Sequence, residues 1–363
     1  MKKIKAQIFL LMSIMAIAIS LIFSSRVNTY AENDIEKMAM EHAREDARKH
    51  ISTLLGVKYF ADNDCDQNVV FYIGTPFYIY SYSENELCQD PSFNFPIYQN
   101  GRVVLVLHEY LNEDGTWSSG SSYDMNDFLN LYPNFYEGKI VYNNGWQYVN
   151  DTETSSEKSA PSNVNNLTEI GYVSPPEIQL DSSHLGANGF LVNQPTYKFL
   201  NTNYCLVLQT DENGTQRGLC WAATAATIIR YLTGNRTISA FQIANEMGIG
   251  YDAGANIDEI RTAMINHGCS IQYQALNRSA NSITEVYHNI NNQYPIAMGG
   301  MAKYLLFWKT GHAVTIVGYN TTTLIIWNSA TGKIETLSYN GANTTFRMSG
   351  HSYKWISSVL IPL

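Results

Sequence analysis

Along the stretch "NDIEKMAMEHAREDARKHISTLLG", Ile35, Met38, Ala39, Ala43, Ala47, Ile51, Leu54 and Leu55 recur at three- and four-residue steps. That spacing predicts one amphipathic helix, capped by Asn33 or Asp34 and closed by Gly56, with His42 and His50 as surface residues. From about Val69 the period falls to two. "VVFYIGTPFYIYSY" and "FPIYQNGRVVLVLHEYLNEDGTW" carry β-branched and aromatic runs broken by Asn100-Gly101 and Asp114-Gly115, which predicts antiparallel hairpins. A short helix is expected in "YDMNDFLNLY". Residues 32–149 thus read as a helix plus a β-hairpin or half-barrel unit.

Residues 150–200 hold neither period for long and contain Pro161, Pro175 and Pro176, so they read as a linker open to proteolysis. Periodicity then returns. A strand-like "YKFLNTNYCLVLQ" leads into an apolar helix from Cys220 to Leu232, with Gly234 as its stop. Helices are expected at Ser239 to Met247 and in "ANIDEIRTAMINHG", and strands in "YPIAMGG", "HAVTIVGYN", "TLIIWNSAT", "IETLSYN" and "YKWISSVLIPL". Residues 201–363 therefore predict an α+β domain, helices first and antiparallel sheet last.

Ahead of all this, Lys2, Lys3 and Lys5 precede an uncharged apolar run from Ile8 to Phe23, followed by a small-residue cleavage site at Ala31. The run is shorter than the ~20 residues a spanning helix needs. It predicts a signal peptide over residues 1–31, of a bacterial kind, and a secreted protein with no integral membrane segment once the leader is removed. Cell-surface association stays open. The net charge is −9 and there is no run of Lys and Arg, so a nucleic-acid partner is not expected. The histidines lack ligand spacing with acids or cysteines, and no phosphate-binding glycine loop occurs, so neither a metal nor a cofactor is expected. Five cysteines survive export: Cys65, Cys88, Cys205, Cys220 and Cys269. Either Cys65 pairs with Cys88 and Cys205 with Cys269, leaving Cys220, or all five are free thiols.

Cys220 is the cysteine whose position has chemical meaning, because it opens a helix where unpaired amides and the positive dipole end favour a thiolate and lower its pKa. In "GHAVTIVGYNTTTLIIWNSATG", a hairpin turn centred on Asn320 places His312 directly opposite Asn328. A nucleophile, a base and a neutral orienting amide are the parts that covalent catalysis requires.

These three segments resemble the papain-like cysteine peptidase superfamily. "GLCWAATAATIIRYLTG" is similar to its nucleophile helix, "GHAVTIVGYN" to its histidine strand and "IIWNSATG" to its asparagine strand. The resemblance implies that Cys220 is the nucleophile, His312 the general base and acid, and Asn328 the residue that orients His312. It also implies a glutamine at the oxyanion, for which Gln209 is preferred over Gln216. The tryptophan that commonly follows the asparagine is missing from "NSATG"; Trp308, Trp327 and Trp355 are the candidates to replace it. The short catalytic unit is closest to compact secreted bacterial members such as the staphopains and streptopain.

The function this implies is a secreted cysteine endopeptidase acting on proteins or peptides, made as a zymogen whose N-terminal unit is an intramolecular inhibitor. Two alternatives use the same residues differently: an acyltransferase, transglutaminase or amidase acting on cell-surface material, and a non-catalytic surface-binding protein with a decayed papain fold.

Overall fold

The computed structural model describes residues 32–57, 69–83, 86–143, 145–150, 167–177, 180–185, 191–202, 205–304, 307–348 and 350–363. The predicted leader and Cys65 lie outside them. The predicted first helix is present as α1 (Glu32–Gly56). His50 is wholly buried in it rather than at the surface, because its ring nitrogens meet the hydroxyls of Thr336 and Ser119 at 2.7 and 2.9 Å. From His42 onward the chain packs as one unit.

The strands that follow among the described residues begin with β1 (Phe71–Ile73), β2 (Ile79–Ser83), β3 (Glu86–Gln89), β4 (Ser92–Gln99), β5 (Arg102–Leu111), β6 (Trp117–Ser122), β7 (Gly138–Tyr142), β8 (Trp146–Asn150), β9 (Thr168–Gly171) and β10 (Leu180–Leu185). A short helix, α2 (Asn126–Leu131), separates β6 from β7. The β4–β5 hairpin turns at Asn100-Gly101 as predicted, with both residues at positive φ. β2, β3, β7 and β8 make a separate sheet in which β2 and β7 run parallel. Within the linker span, β9 pairs with β1, and β10 pairs with β11 (Leu191–Pro195). β12 (Tyr197–Phe199) then pairs with the far end of the later histidine strand.

The C-terminal part has four helices: α3 (Cys220–Thr233), α4 (Ala240–Met247), α5 (Ile257–Asn266) and α6 (Ile283–Asn291). Ser239 and Asn256 cap α4 and α5 through reciprocal capping boxes with Gln242 and Glu259, which is why those starts were readable in the sequence. Gly234 ends α3 in the left-handed conformation at φ 73°. Helix α6 was not foreseen; "ITEVYHNIN" is short and its apolar positions are interrupted by polar ones, two of which, Glu285 and Asn289, are themselves buried.

The strands here are β13 (Gln274–Leu276), β14 (Ile296–Tyr304), β15 (Phe307–Asn320), β16 (Thr323–Asn328), β17 (Lys333–Ser338), β18 (Thr345–Met348) and β19 (His351–Leu360). α3 lays its alanine-rich surface on one face of this sheet, against Ala297, Ala313 and Val359, with α4 and α5 beside it. α6 covers the other face, against Ile296, Met298, Val314 and Ile316. The chain is α+β, with few helices and a large antiparallel sheet.

One sheet runs through both halves, in the order β13-β19-β14-β15-β16-β17-β6-β5-β4-β1-β9. The junction is the pairing of Thr336 with Ser121 and of Leu337 with Gly120. β6 reads "WSSGSS", and its serines are buried; Ser118, Ser119 and Ser121 meet groups of the C-terminal half, while Ser122 bonds to His108 and Asp124. Ser121 Oγ lies 2.6 Å from Thr336 Oγ1, and Ser119 Oγ lies 2.7 Å from Ser338 Oγ. A second tie is the buried Arg347, whose Nη1 donates to Asp90 Oδ1 at 3.0 Å and to Ser92 Oγ at 2.8 Å.

Candidate active site

Cys220 is the first residue of α3, and Leu219 before it offers no side-chain cap. The opening amides of the helix are therefore left without intrahelical or capping partners. Those of Cys220 and Trp221 turn to the Cys220 thiol, together with the amide of Ala313 on β15. All three favour a thiolate, as the sequence implied, but burial is the larger influence and pushes the thiol up from its ordinary value. The expectation of a lowered thiol pKa is thus corrected: the site is drier than a helix end facing solvent.

His312 lies next to Ala313 and shares with Cys220 a cavity of about 290 Å³. Burial drives its imidazole down to about 3, opposed by hydrogen bonding to Asn328. Across β14 its partner is Gly300, and the rings of Phe346 and Tyr353 flank it at 6.0 and 5.7 Å. A Cβ on Gly300 would come within 2.5 Å of the Phe346 ring, so only glycine leaves these aromatics against the histidine. Nε2 of His312 is buried and makes no hydrogen bond within the protein. Burial thus disfavours the charged form of both groups, the thiolate and the imidazolium.

Asn328 is not directly opposite His312. The β15–β16 turn is Thr321-Thr322 rather than Asn320, and the register shifts between Ile316 and Gly318. The ladder's last pair is Thr315 with Trp327, so Asn328 continues it toward Val314. Because side chains alternate between faces, Val314 and His312 share a face, and Asn328 reaches the imidazole diagonally. The turn lacks the Asn-Gly or Asp-Gly pair that marks β4–β5, which is why its centre was misplaced.

Sequence reading missed the residue behind Asn328. Glu335 on β17 is buried and accepts from Asn328 Nδ2 at 2.9 Å through one oxygen and from the Thr331 hydroxyl at 3.0 Å through the other. Asn328 Oδ1 accepts from the Ala330 amide at 3.1 Å. Burial pushes the Glu335 carboxyl up to about 8, opposed first by the hydrogen bond from Asn328. The visible signal was one acid within the otherwise strand-like "IETLSYN". Of the tryptophans proposed to shield the asparagine, Trp327 donates instead to the Val207 carbonyl at 3.0 Å, and Trp355 to Ser357 and Ser358.

Neither candidate glutamine lines the cavity. Gln209 donates to the Arg217 carbonyl at 2.9 Å and accepts from the Ser329 hydroxyl at 3.2 Å. Gln216 is exposed and donates to the Ala330 carbonyl at 2.8 Å. Residues 210–216 fold back on themselves, closed by the Thr210–Gln216 bridge and the Asp211 carboxylate. Both glutamines therefore clamp the loop before Cys220 onto the turn after Asn328. The four described cysteines, Cys88, Cys205, Cys220 and Cys269, are free, so the Cys205–Cys269 disulfide does not form.

Residues 201–357 match the Peptidase_C39 like family. The match spans less than half of the chain and contains Cys220, His312 and Asn328. It supports a cysteine peptidase-like superfamily for this part, and with it a hydrolase acting on proteins or peptides. No curated protein matches the chain. Among the described residues, no helix is long and apolar enough to cross a membrane.

The arrangement around Glu335 in this cysteine peptidase-like part predicts two separable effects. Glu335→Leu leaves Asn328 Nδ2 buried without an acceptor, at about 1–3 kcal/mol, and kcat should fall roughly 10- to 100-fold. Glu335→Gln keeps an acceptor and should stay within about threefold of wild type, because the carboxyl it replaces is largely neutral near pH 7. The folded pKa of Glu335 lies above its unfolded value, so the native state holds the extra proton between roughly pH 4.5 and 8. Stability from this group is present below that window and lost as pH rises through it. Urea unfolding at pH 5 and pH 8 should show a smaller drop in Glu335→Gln than in wild type; an unchanged drop would remove Glu335 as its source.

Proposed function

We propose that this protein is a secreted papain-like cysteine endopeptidase made as a zymogen. What chiefly supports this is the cavity that Cys220 and His312 share, with the Ala313 amide turned to the thiol. His312 takes the thiol proton as the sulfur attacks the scissile carbonyl. The oxyanion is met by the backbone amides at the start of α3, and His312 then protonates the leaving amine. Asn328 favours the imidazolium that forms between those steps. Gln209, read from the resemblance as an oxyanion donor, acts here by fixing the loop that carries Cys220.

The cavity walls include Trp221, Ile257, Ile260, Met301 and Ile356, which suit an apolar side chain beside the scissile bond. Its lining residues all come from the C-terminal half. Among the described residues the N-terminal unit does not plug the cavity, and latency acts through the shared sheet. The Tyr123 amide, just beyond β6, hydrogen-bonds Glu335. Release of residues 32–149 would strip that bond and β6 from β17, resetting the chain of contacts from Glu335 through Asn328 to His312.

Intact mass over time tests the zymogen, using the chain from Glu32 to Leu363, wild type beside Cys220→Ala, in mildly reducing buffer. The wild type should shed its N-terminal half by cleavage within residues 150–200 and gain caseinolytic activity, while the variant stays whole. A wild type that stays whole yet cleaves casein fully overturns the zymogen reading and leaves the peptidase. Amine incorporation into a glutamine-containing protein without casein cleavage would favour acyl transfer instead.

A further inference from the structure

A second cluster of chemistry-bearing side chains lies away from Cys220, where α1 meets β5 and β6. His42 and Asp46 are four residues apart on α1 and so share a face; Glu109 comes from β5. His42 Nδ1 stands 3.3 Å from Glu109 Oε2 and 3.7 Å from Asp46 Oδ2, and one ligand atom from each residue lies within 4.8 Å of the others. Glu109 is wholly buried, and neither of its oxygens makes a hydrogen bond. His42 Nδ1 likewise has no hydrogen bond of good geometry. The His42 ring, 3.3 Å away, meets this buried carboxylate as a cation only when protonated, and a metal ion held between the two would take the place of that proton. Lys49 does not serve, since its ammonium faces Asp46 Oδ1 at 3.8 Å.

We infer that His42 Nδ1, Asp46 Oδ2 and Glu109 Oε2 form a zinc-binding site that braces α1 against the sheet. Tetrahedral zinc with nitrogen and oxygen ligands at about 2.0–2.1 Å sets those ligands roughly 3.4 Å apart, against the observed 3.3 and 3.7 Å. Octahedral magnesium, at the same bond lengths, needs a tighter spacing of about 3.0 Å and prefers oxygen-only sites. His42 is one-third exposed, which leaves the fourth position open to water. The outer contacts fit a metal site as well. Ser119 Oγ donates to Asp46 Oδ2 at 2.5 Å and is itself in contact with the buried His50, while the Trp117 ring stacks on His42 at 5.6 Å. The missing ligand in the sequence pattern was Glu109, which only the packing of β5 under α1 supplies. The site does not depend on the peptidase reading.

Because Cys220 and His312 could also hold zinc, the test uses the chain from Glu32 to Leu363 carrying Cys220→Ala. Zinc is titrated calorimetrically at pH 7.5 and the thermal midpoint followed with and without it. Binding of one zinc with Kd below ~1 µM is expected, with a rise in midpoint of several degrees at about 100-fold excess over Kd. Adding Glu109→Gln or His42→Ala should weaken binding at least tenfold and abolish the rise. His42→Ala changes a partly exposed position, so it reports even if Glu109→Gln does not fold. Equal zinc affinity with and without His42, or no binding at 10-fold above that Kd, overturns the inference.

Discussion

Replacing Cys220 by alanine, or His312 by alanine, reduces kcat for casein or peptide cleavage by roughly 10⁴-fold or more, and combining the two costs little beyond either alone. In the proposed mechanism the sulfur and the imidazole act as one unit: without the base the half-buried thiol would stay neutral, and without the thiol the base would have nothing to activate. Removals of single members of comparable catalytic sets are grossly non-additive and reach about 10⁶. Burial holds the Cys220 thiol above its ordinary value and the imidazole near 3, which disfavours the charged form of each. Asn328→Ala should be milder, roughly 10- to 100-fold, because it orients the ring without exchanging a proton with substrate. Initial rates and the far-ultraviolet spectrum of each variant check this. A fully active, folded Cys220→Ala protein would exclude nucleophilic catalysis by this cysteine and revive a binding role for the fold.

The largest effect on stability is expected at Arg347. Its side chain is fully buried on β18 and its guanidinium meets Asp90, which also accepts from Ser352 and Ser92. Arg347→Leu leaves the Asp90 carboxylate buried without a cation, held only by the Ser92 amide and the Ser92 and Ser352 hydroxyls, and should destabilise the chain by about 3–5 kcal/mol. Pairing it with Asp90→Leu removes the orphaned charge and should recover part of that loss. Since this ion pair joins the N-terminal strands to the C-terminal sheet, urea unfolding of Arg347→Leu should also lose its single transition. A loss below about 1 kcal/mol would mean that water reaches Asp90 and that the serine-lined β6–β17 junction carries the coupling by itself.

Several features were readable because their causes are local. The alanine-rich run after Cys220, closed by Gly234, writes a helix whose first residue is the thiol. Ser239 and Asn256 announce the next two helices through residues three positions on. Alternating apolar positions around His312 and before Asn328 mark two strands, and the turn between them is short enough to pair those strands directly. The exact pairing was another matter. A bulge between Ile316 and Gly318 and a turn of two threonines carry no distinctive composition, so Asn328 reaches His312 diagonally rather than across.

By itself, then, the sequence determined the α+β order of elements, the helix that Cys220 opens and the two strands that carry His312 and Asn328, since each rests on periodicity and capping within a few residues. Only the tertiary structure decided that Glu335 stands behind Asn328, that Gln209 and Gln216 clamp the NSATG turn, that His50 is buried, and that Glu109 completes a cluster with His42 and Asp46. It also decided that one sheet crosses from the N-terminal half into the C-terminal half. Most of these join polar groups from segments far apart in the chain, and even Glu335, seven residues from Asn328, looks like any other strand acid until the fold shows which partner satisfies it.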